Sequence, residues 1–396
     1  MSRRTGSAIL PLHGGRAPRW LFERMAQLAP AIVEAIVVDR GPGAVLERLS
    51  DPYWFQAFGC VLGFDWHSSG VTTTVCGALK QGLAGREADT GIHVAGGKGR
   101  TSLRTPVELE AIGARTGLDG ARLAYHSRMS AKVDSAAVQD GFGIYHHSFF
   151  VTSAGEWAVV QQGMRPNDGS ARRYHWLGAR VSDLVCEPHA AVCSDATQPV
   201  LNFVATESAG ARVAVTKLAN EEPARVAREL GQLLTMELPR RHWVDVKRDV
   251  HAGRVHQVLL TTYERRPADF EALLATPGIG PAALRALSLV AEVVYGEPTS
   301  TRDPARFSFA HGGKDGHPFP VDRTTYDHSI TWLRDAVTRA KLGNPDRADA
   351  LRKLASFERR AEEAEDTRSD ASRELEIPRA GAEAPRAREA QTQLNL

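Results

Sequence analysis

The stretch YHHSFFVTSAGEWAVVQQGM, residues 145–164, decides how the fold is read. YHHSFFVT (145–152) and WAVVQQGM (157–164) are runs of β-branched and aromatic residues, and the Ser-Ala-Gly-Glu between them is a turn signal. Together they predict a β-hairpin. A turn at Ser153 to Glu156 faces Thr152 with Trp157, Phe149 with Val160, Ser148 with Gln161 and His147 with Gln162. Polar residues then gather at the open end, while Phe, Val and Trp fill the other.

Working outward, residues 120–139 lack proline and keep Leu123, Met129, Val133 and Ala137 on roughly one side. They predict a helix ending at Asp140-Gly141, with Arg128, Lys132, Ser135 and Gln139 as its polar stripe. Thr105-Pro106-Val107-Glu108 reads as a capping box that opens a helix toward Gly117. Residues 18–50 read as helices interrupted at Pro30 and at Gly41-Pro42-Gly43, and Asp51-Pro52 starts another. LNFVATES (201–208) reads as a further strand. Helices mixed with hairpins make residues 1–220 an α+β domain. Residues 221–355 read as a helical domain, and 356–396, charged and poor in large apolar residues, as a disordered tail.

A chain of 396 residues, 42% hydrophobic and 24% charged, is large enough for two packed domains. A formal net charge of +2 cannot hold a polyanion by bulk attraction, so any nucleic-acid site must be a local basic patch. Cys60, Cys76, Cys186 and Cys193 are too few for a disulfide scaffold and lack zinc-site spacing, which predicts reduced thiols. The opening MSRRTGSAILPLHGG lacks the apolar core of a signal peptide, and no stretch has the apolar length of a membrane span. The expectation is a cytoplasmic protein with no membrane partner.

The strongest motif follows residue 270. FEALL (270–274) precedes ATPGIGP (275–281), and AALRALSLVAEVVYG runs on to Gly296, in the pattern of a helix-hairpin-helix over 270–296. Gly278 and Gly280 permit a tight turn and close approach to a phosphate, and Ile279 plugs the space between the helices. The second helix then presents free amides and the positive end of its dipole, near Ala282 and Arg285, to a phosphodiester. Such a contact reads backbone rather than bases. Arg240, Arg241, Lys247 and Arg248, with Trp243, His251, Arg254 and His256, add a basic stretch upstream that predicts a phosphate track.

A second constellation lies at the open end of the first hairpin. Lys132, Asp134, Asp140, His146, His147, Gln161 and Gln162 together offer oxygen and nitrogen ligands, a base and a cation, as metal-assisted phosphodiester cleavage requires. Asp140, His146 and His147 are the expected metal ligands. Imidazole donors favour Mn²⁺ over Mg²⁺, and Lys132 would counter charge in the transition state. The nuclease pattern of a carboxylate, a hairpin and then Glu-x-Lys is only echoed, since Gln161 or Gln162 takes the acidic place and no lysine follows. The segments Cys186 to His189 and His311 to His317 are the next candidates. GGKGR (96–100) is a basic loop without Walker spacing.

PLHGGRAPRWLFERM (11–25), AKVDSAAVQDGFGIYHHSFF (131–150), WAVVQQGM (157–164), PGIGPAALRALSLVAEVVYG (277–296) and RFSFAHGGKDGHPFPVDR (306–323) resemble the prokaryotic domain-of-unknown-function family 763, over about residues 8–350. The resemblance implies a family-specific N-terminal domain followed by a helix-hairpin-helix region acting on DNA; it brings no catalytic residues of its own. The sequence thus predicts a metal-dependent DNA nuclease, compatible with a homo-oligomer. A non-catalytic DNA-binding or repair-scaffold protein is the alternative. A DNA glycosylase is a lesser one, because no lysine follows Gly280 and Asp303 is followed by Pro304.

Overall fold

In the computed structural model the described residues are 19–64, 70–165, 170–194, 197–233, 235, 252–306, 323–356 and 359. The basic stretch from Arg240 to His251, the segment His311 to His317 and the tail from residue 360 lie outside them.

The fold is α+β. Its centre is a five-stranded antiparallel sheet in the order β1-β3-β4-β5-β6, made of β1 (Ile92–Lys98), β3 (Gly143–Thr152), β4 (Trp157–Met164), β5 (Ala171–Leu177) and β6 (Ala191–Ser194). A short ribbon joins β2 (Val138–Gln139) to β7 (Leu201–Asn202). Because side chains alternate along a strand, the two faces of the sheet build two separate cores. Phe150, Ala158, Val160 and Leu177 pack on α1 (Arg19–Arg40), α2 (Pro42–Ser50), α3 (Pro52–Leu62) and α4 (Gly70–Leu83). Phe149, Val151, Trp157, Val159 and Trp176 face α6 (Thr105–Thr116) and α7 (Gly120–Lys132), after the single turn α5 (Glu87–Thr90).

The second core continues without a break past residue 220. It takes in α8 (Ala209–Ala219), α9 (Pro223–Leu233), α10 (Ala252–Arg265), α11 (Phe270–Ala275) and α12 (Pro281–Tyr295), and Phe203 stacks on Phe270 with ring centroids 5.3 Å apart. Helix α13 (Arg323–Arg339) and the helix over residues 344–356 return to the first core through Leu333, Val337, Ala350 and Leu354. The expected boundary at 220 therefore cuts through one core, and the expected helical domain 221–355 divides between the two faces of the sheet.

Local chemistry accounts for where the elements begin and end. Asp51 caps α3 by accepting from the amides of Tyr53 and Trp54 at 2.8 and 3.1 Å. Helix α1 runs through Pro30 rather than stopping there. The capping box at Thr105 does not form, because Glu108 turns to the sheet edge and accepts from Lys80 Nζ at 2.6 Å and the Gly96 amide at 2.9 Å. The expected strand 201–208 stops after Asn202, whose Oδ1 accepts from the amides of Val204 and Ala205 and folds the chain into a turn.

Two differences bear on the site. The helix expected over 120–139 ends at Lys132 and widens into a π-turn (Val133–Ala137), in which the Val138 amide bonds the Val133 carbonyl. The hairpin register is shifted by one residue from the expected pairing: Val151 faces Trp157, Phe149 faces Val159, His147 faces Gln161 and His146 faces Gln162. Thr152 and Glu156 close a three-residue loop in which Gly155 takes a φ of 84°, so the turn uses one residue fewer than a Ser153 to Glu156 turn would. A one-residue slip exchanges the cross-strand partner of every side chain.

Candidate functional site

The second face of the sheet carries a buried polar chain in which every proton position follows from the partners. Asp134, delivered by the π-turn and fully buried, is its hub. Its Oδ2 accepts from Gln161 Nε2 at 2.5 Å and Trp176 Nε1 at 3.0 Å, and its Oδ1 faces His189 Nε2 at 2.5 Å. Gln161 also donates to the Ser130 carbonyl, so its Oε1 is the atom that receives Nδ1–H of His147 at 2.7 Å. His147 Nε2 is left as an acceptor, 2.9 Å from the Ser127 hydroxyl. Burial lowers the His147 pKa from its ordinary value, which keeps the ring neutral as this arrangement requires.

Next to this chain lies an ion cluster. Arg172, wholly buried, donates to Asp140 Oδ2 at 2.9 Å and to both oxygens of Asp303 at 3.0 and 2.9 Å. Tyr174 donates to Asp140 Oδ2 at 2.7 Å, and the Phe142 amide to Oδ1 at 3.0 Å. Burial works against the Arg172 charge, but the Asp140 and Asp303 carboxylates outweigh it and hold its pKa above the ordinary value. Bidentate pairing to Asp303 makes this a structural fork. Asp303, weighed earlier as a glycosylase aspartate, is used up in it and in bonds to the amides of Ala305 and Gln198.

The other face holds a third group. Arg173 Nε donates to His175 Nε2 at 2.8 Å while His175 Nδ1–H donates to the Leu49 carbonyl at 2.8 Å. His146 sits on this same face, with Nε2 3.1 Å from Ser148 Oγ and with Nδ1 buried and without a hydrogen-bond partner among the described residues. Burial, with smaller contributions from His147 and Lys98, lowers its pKa to about 3. Gln162, paired with His146 in the ladder, donates to Tyr145 Oη at 2.8 Å.

The seven expected catalytic residues therefore do not converge. His146 and His147 are sequence neighbours on one strand and point to opposite faces of the sheet, so they cannot chelate one ion. Asp140 faces Arg172 and Tyr174, two residues His147 does not touch. No group of three or more His, Cys, Asp or Glu side chains placed to hold a metal occurs among the described residues. Lys132 points away from the sheet altogether. Its Nζ donates to the carbonyls of Leu274 and Thr276 at 2.5 and 2.9 Å, at the C-terminal end of α11, where a cation complements the helix dipole. Burial lowers its pKa.

That contact belongs to the second expected site. Thr276 to Gly280 form a tight turn between α11 and α12, with Gly278 at φ 86° and Ile279 buried in the core. Gln139 donates to the Pro281 carbonyl at 2.9 Å and accepts from Arg285 Nε at 2.9 Å. Tyr125 donates to Glu271 at 2.7 Å. The turn is thus gripped from behind by α7 and β2. Its outer side is open: Pro277, Gly278, Pro281 and Ala282 are exposed, and a Cβ at Gly280 would meet nothing within 4 Å. The first bond of α12 runs from the Leu284 amide to the Gly280 carbonyl, so the amides of Ala282 and Ala283 precede the helical ladder.

An α+β sheet protein whose polar groups are sealed inside, with a clamped helical hairpin at one end, is the class the fold defines. The chain belongs to the family described as Protein of unknown function (DUF763), whose model matches residues 6–321. No curated protein and no solved structure matches it. No helix among the described residues is long and apolar enough to cross a membrane. The four cysteines are free thiols.

Sequence reasoning missed Arg172, Tyr174, Trp176 and His189 as partners of Asp134 and Asp140. The signal present was alternation in Ala171-Arg172-Arg173-Tyr174-His175-Trp176-Leu177, which two consecutive arginines hid. The buried histidines give a pH signature. His146, His147 and His175 all have folded pKa values below the unfolded 6.5, so the unfolded chain binds more protons as pH falls. Stability is full above about pH 6.5 and falls as pH drops toward 3, by up to about 4 kcal/mol per pH unit for three such groups. Urea unfolding between pH 7.5 and 5.5 measures it. His146→Leu, which removes an orphaned Nδ1, should lower the slope by about one proton; an unchanged slope would mean that His146 is not held neutral.

Proposed function

We propose that the protein binds DNA through its phosphodiester backbone at the hairpin formed by α11, the turn Thr276 to Gly280 and α12. The observation that carries this reading is a turn clamped from behind by Lys132 and Gln139 while its glycines and the first amides of α12 stay open. A pre-fixed turn orders nothing on binding, so little of the gain from contacting a phosphate is lost to entropy. Arg285, held by Gln139, sets a positive charge one turn into the helix. Recognition of this kind is independent of sequence. Asp140, His146, His147, Gln161 and Gln162 serve the sheet in this reading rather than an Mn²⁺ centre.

Gly280→Leu is the cleanest test, because Gly280 has an extended backbone (φ −142°) facing open space, whereas any substitution of Gly278 would strain a left-handed residue. We expect Gly280→Leu to melt like the parent and to raise the Kd for random duplex DNA at least tenfold in fluorescence anisotropy. Affinity of the parent should fall with salt at a log-log slope of roughly −0.9 per phosphate contacted. Equal affinities for the parent and the folded variant would remove the hairpin from the interface.

A further inference from the structure

His189 differs from the other histidines fixed in the sheet. His147 and His175 have both ring nitrogens engaged, and His146 is sealed off. His189 has Nε2 on Asp134, and a carboxylate accepts only, so the proton is on Nε2 and the lone pair on Nδ1. The ring is wedged edge-on against Trp176, with centroids 4.9 Å apart, and leans on Tyr174 at 6.0 Å. Nδ1 makes no hydrogen bond among the described residues, and His189 lines a cleft of about 160 Å³ shared with Glu187, Asn202, Arg302 and Arg306. An imidazole with one nitrogen anchored on a buried carboxylate and the other open to a cleft has the geometry of a general base.

The cleft selects the substrate. The cleft is small, about 160 Å³, and its two arginines suit a phosphate group. Arg302 spends only one terminal nitrogen on Glu187 and Glu207, at 2.5 and 3.0 Å, and its other guanidinium donors bond nothing among the described residues. Arg306 approaches Glu187 loosely, at 3.7 Å. Asn202 on the cleft wall pairs with Val138, the neighbour of the Gln139 that grips the hairpin. The cleft thus lies one residue along the ribbon from the hairpin clamp.

We infer that His189 and Asp134 form a catalytic dyad that hydrolyses a phosphodiester held by Arg302 and Arg306. Nδ1 takes a proton from water as the water oxygen forms a new bond to phosphorus. The ester P–O bond breaks, the departing oxygen takes a proton from solvent, and the imidazolium returns its proton to solvent. The choice of DNA as substrate rests on the hairpin reading, but the dyad does not.

Two substrates separate these points: bis(4-nitrophenyl) phosphate, too small to need the hairpin, and end-labelled DNA at saturating concentration, each assayed with Mg²⁺, Mn²⁺ or EDTA. We expect the parent to cleave both, and His189→Gln, whose amide can still donate to Asp134, to lose at least 100-fold in kcat on both. Arg302→Met should lower kcat/KM at least tenfold. Turnover by folded His189→Gln at the parental rate, or no turnover of either substrate by the parent under any of the three conditions, overturns the dyad. If the parent hydrolyses the nitrophenyl diester in a His189-dependent way but fails to bind DNA, the hairpin reading falls and the dyad stands.

Discussion

Asp134→Leu is expected to lower the unfolding free energy by about 3–5 kcal/mol, among the largest effects of any single side chain on this face of the sheet. Leucine keeps the branched shape of the aspartate but is bulkier, so some overpacking adds to the loss; the main part comes from three N–H donors, on Gln161, Trp176 and His189, left facing hydrocarbon. Each buried donor without an acceptor costs about 1–3 kcal/mol, and two of them are tied to nothing else that can rotate to help. The effect should spread: with Gln161 free to turn, His147 loses the acceptor that fixes its tautomer, and Ser127 loses its own acceptor in turn. In a protein of this size the melting temperature should fall by roughly 5 °C. Calorimetry on Asp134→Leu and Asp134→Asn checks this, since the amide keeps one acceptor oxygen and should recover part of the loss. A melting temperature within about 1 °C of the parent, about 1 kcal/mol, would mean that the chain of bonds contributes no more than its packing.

Arg172→Met should be as damaging, for a different reason. Removing one partner of a buried ion cluster strands the others, and here Asp140 and Asp303 are both nearly inaccessible. A cost of about 3–5 kcal/mol is expected at pH 7. It should shrink when Asp140 and Asp303 are replaced by Asn in the same chain, because the apolar background no longer holds unpaired charge. The measurement is a double-mutant cycle by urea unfolding, with a coupling on the order of 2 kcal/mol or more. Additive losses would show that Arg172 acts through its aliphatic stem alone.

The hairpin 145–164 was legible because β-branched and aromatic alternation is a local property. Its register was not: the count depended on whether Gly155 enters a left-handed conformation and shortens the loop, and one residue decided whether His147 met Gln161 or Gln162. The helical hairpin at Gly278 was equally local. The partners of the polar residues were not, since Asp134 meets His189 and Lys132 meets Leu274 across 55 and 142 residues of chain. Strand β5 was hidden by Arg172 and Arg173, whose charges read as surface until the carboxylates and carbonyls that receive them are in place. The domain boundary at 220 followed a change of composition, and packing did not respect it. Asp140 and His147 are reactive residue types, yet their chemistry here is to satisfy buried partners, Arg172 and Tyr174 for the one and Gln161 and Ser127 for the other.

The π-turn at Val133 to Ala137 has a consequence for how the chain can change in length. One residue fewer within it would let the turn close at α-helical pitch, with the same amide reaching the Val133 carbonyl, so Gln139 and Asp140 would stay on Pro281 and Arg172. The wide turn is thus a place where one residue can be given up. A deletion just after it, between Val138 and Asp140, has no such slack and would move Gln139 off Pro281 and Asp140 off Arg172 together. Length is fixed over that short stretch, while an extra residue in the solvent-facing loop at Ser153 to Gly155 would be absorbed locally.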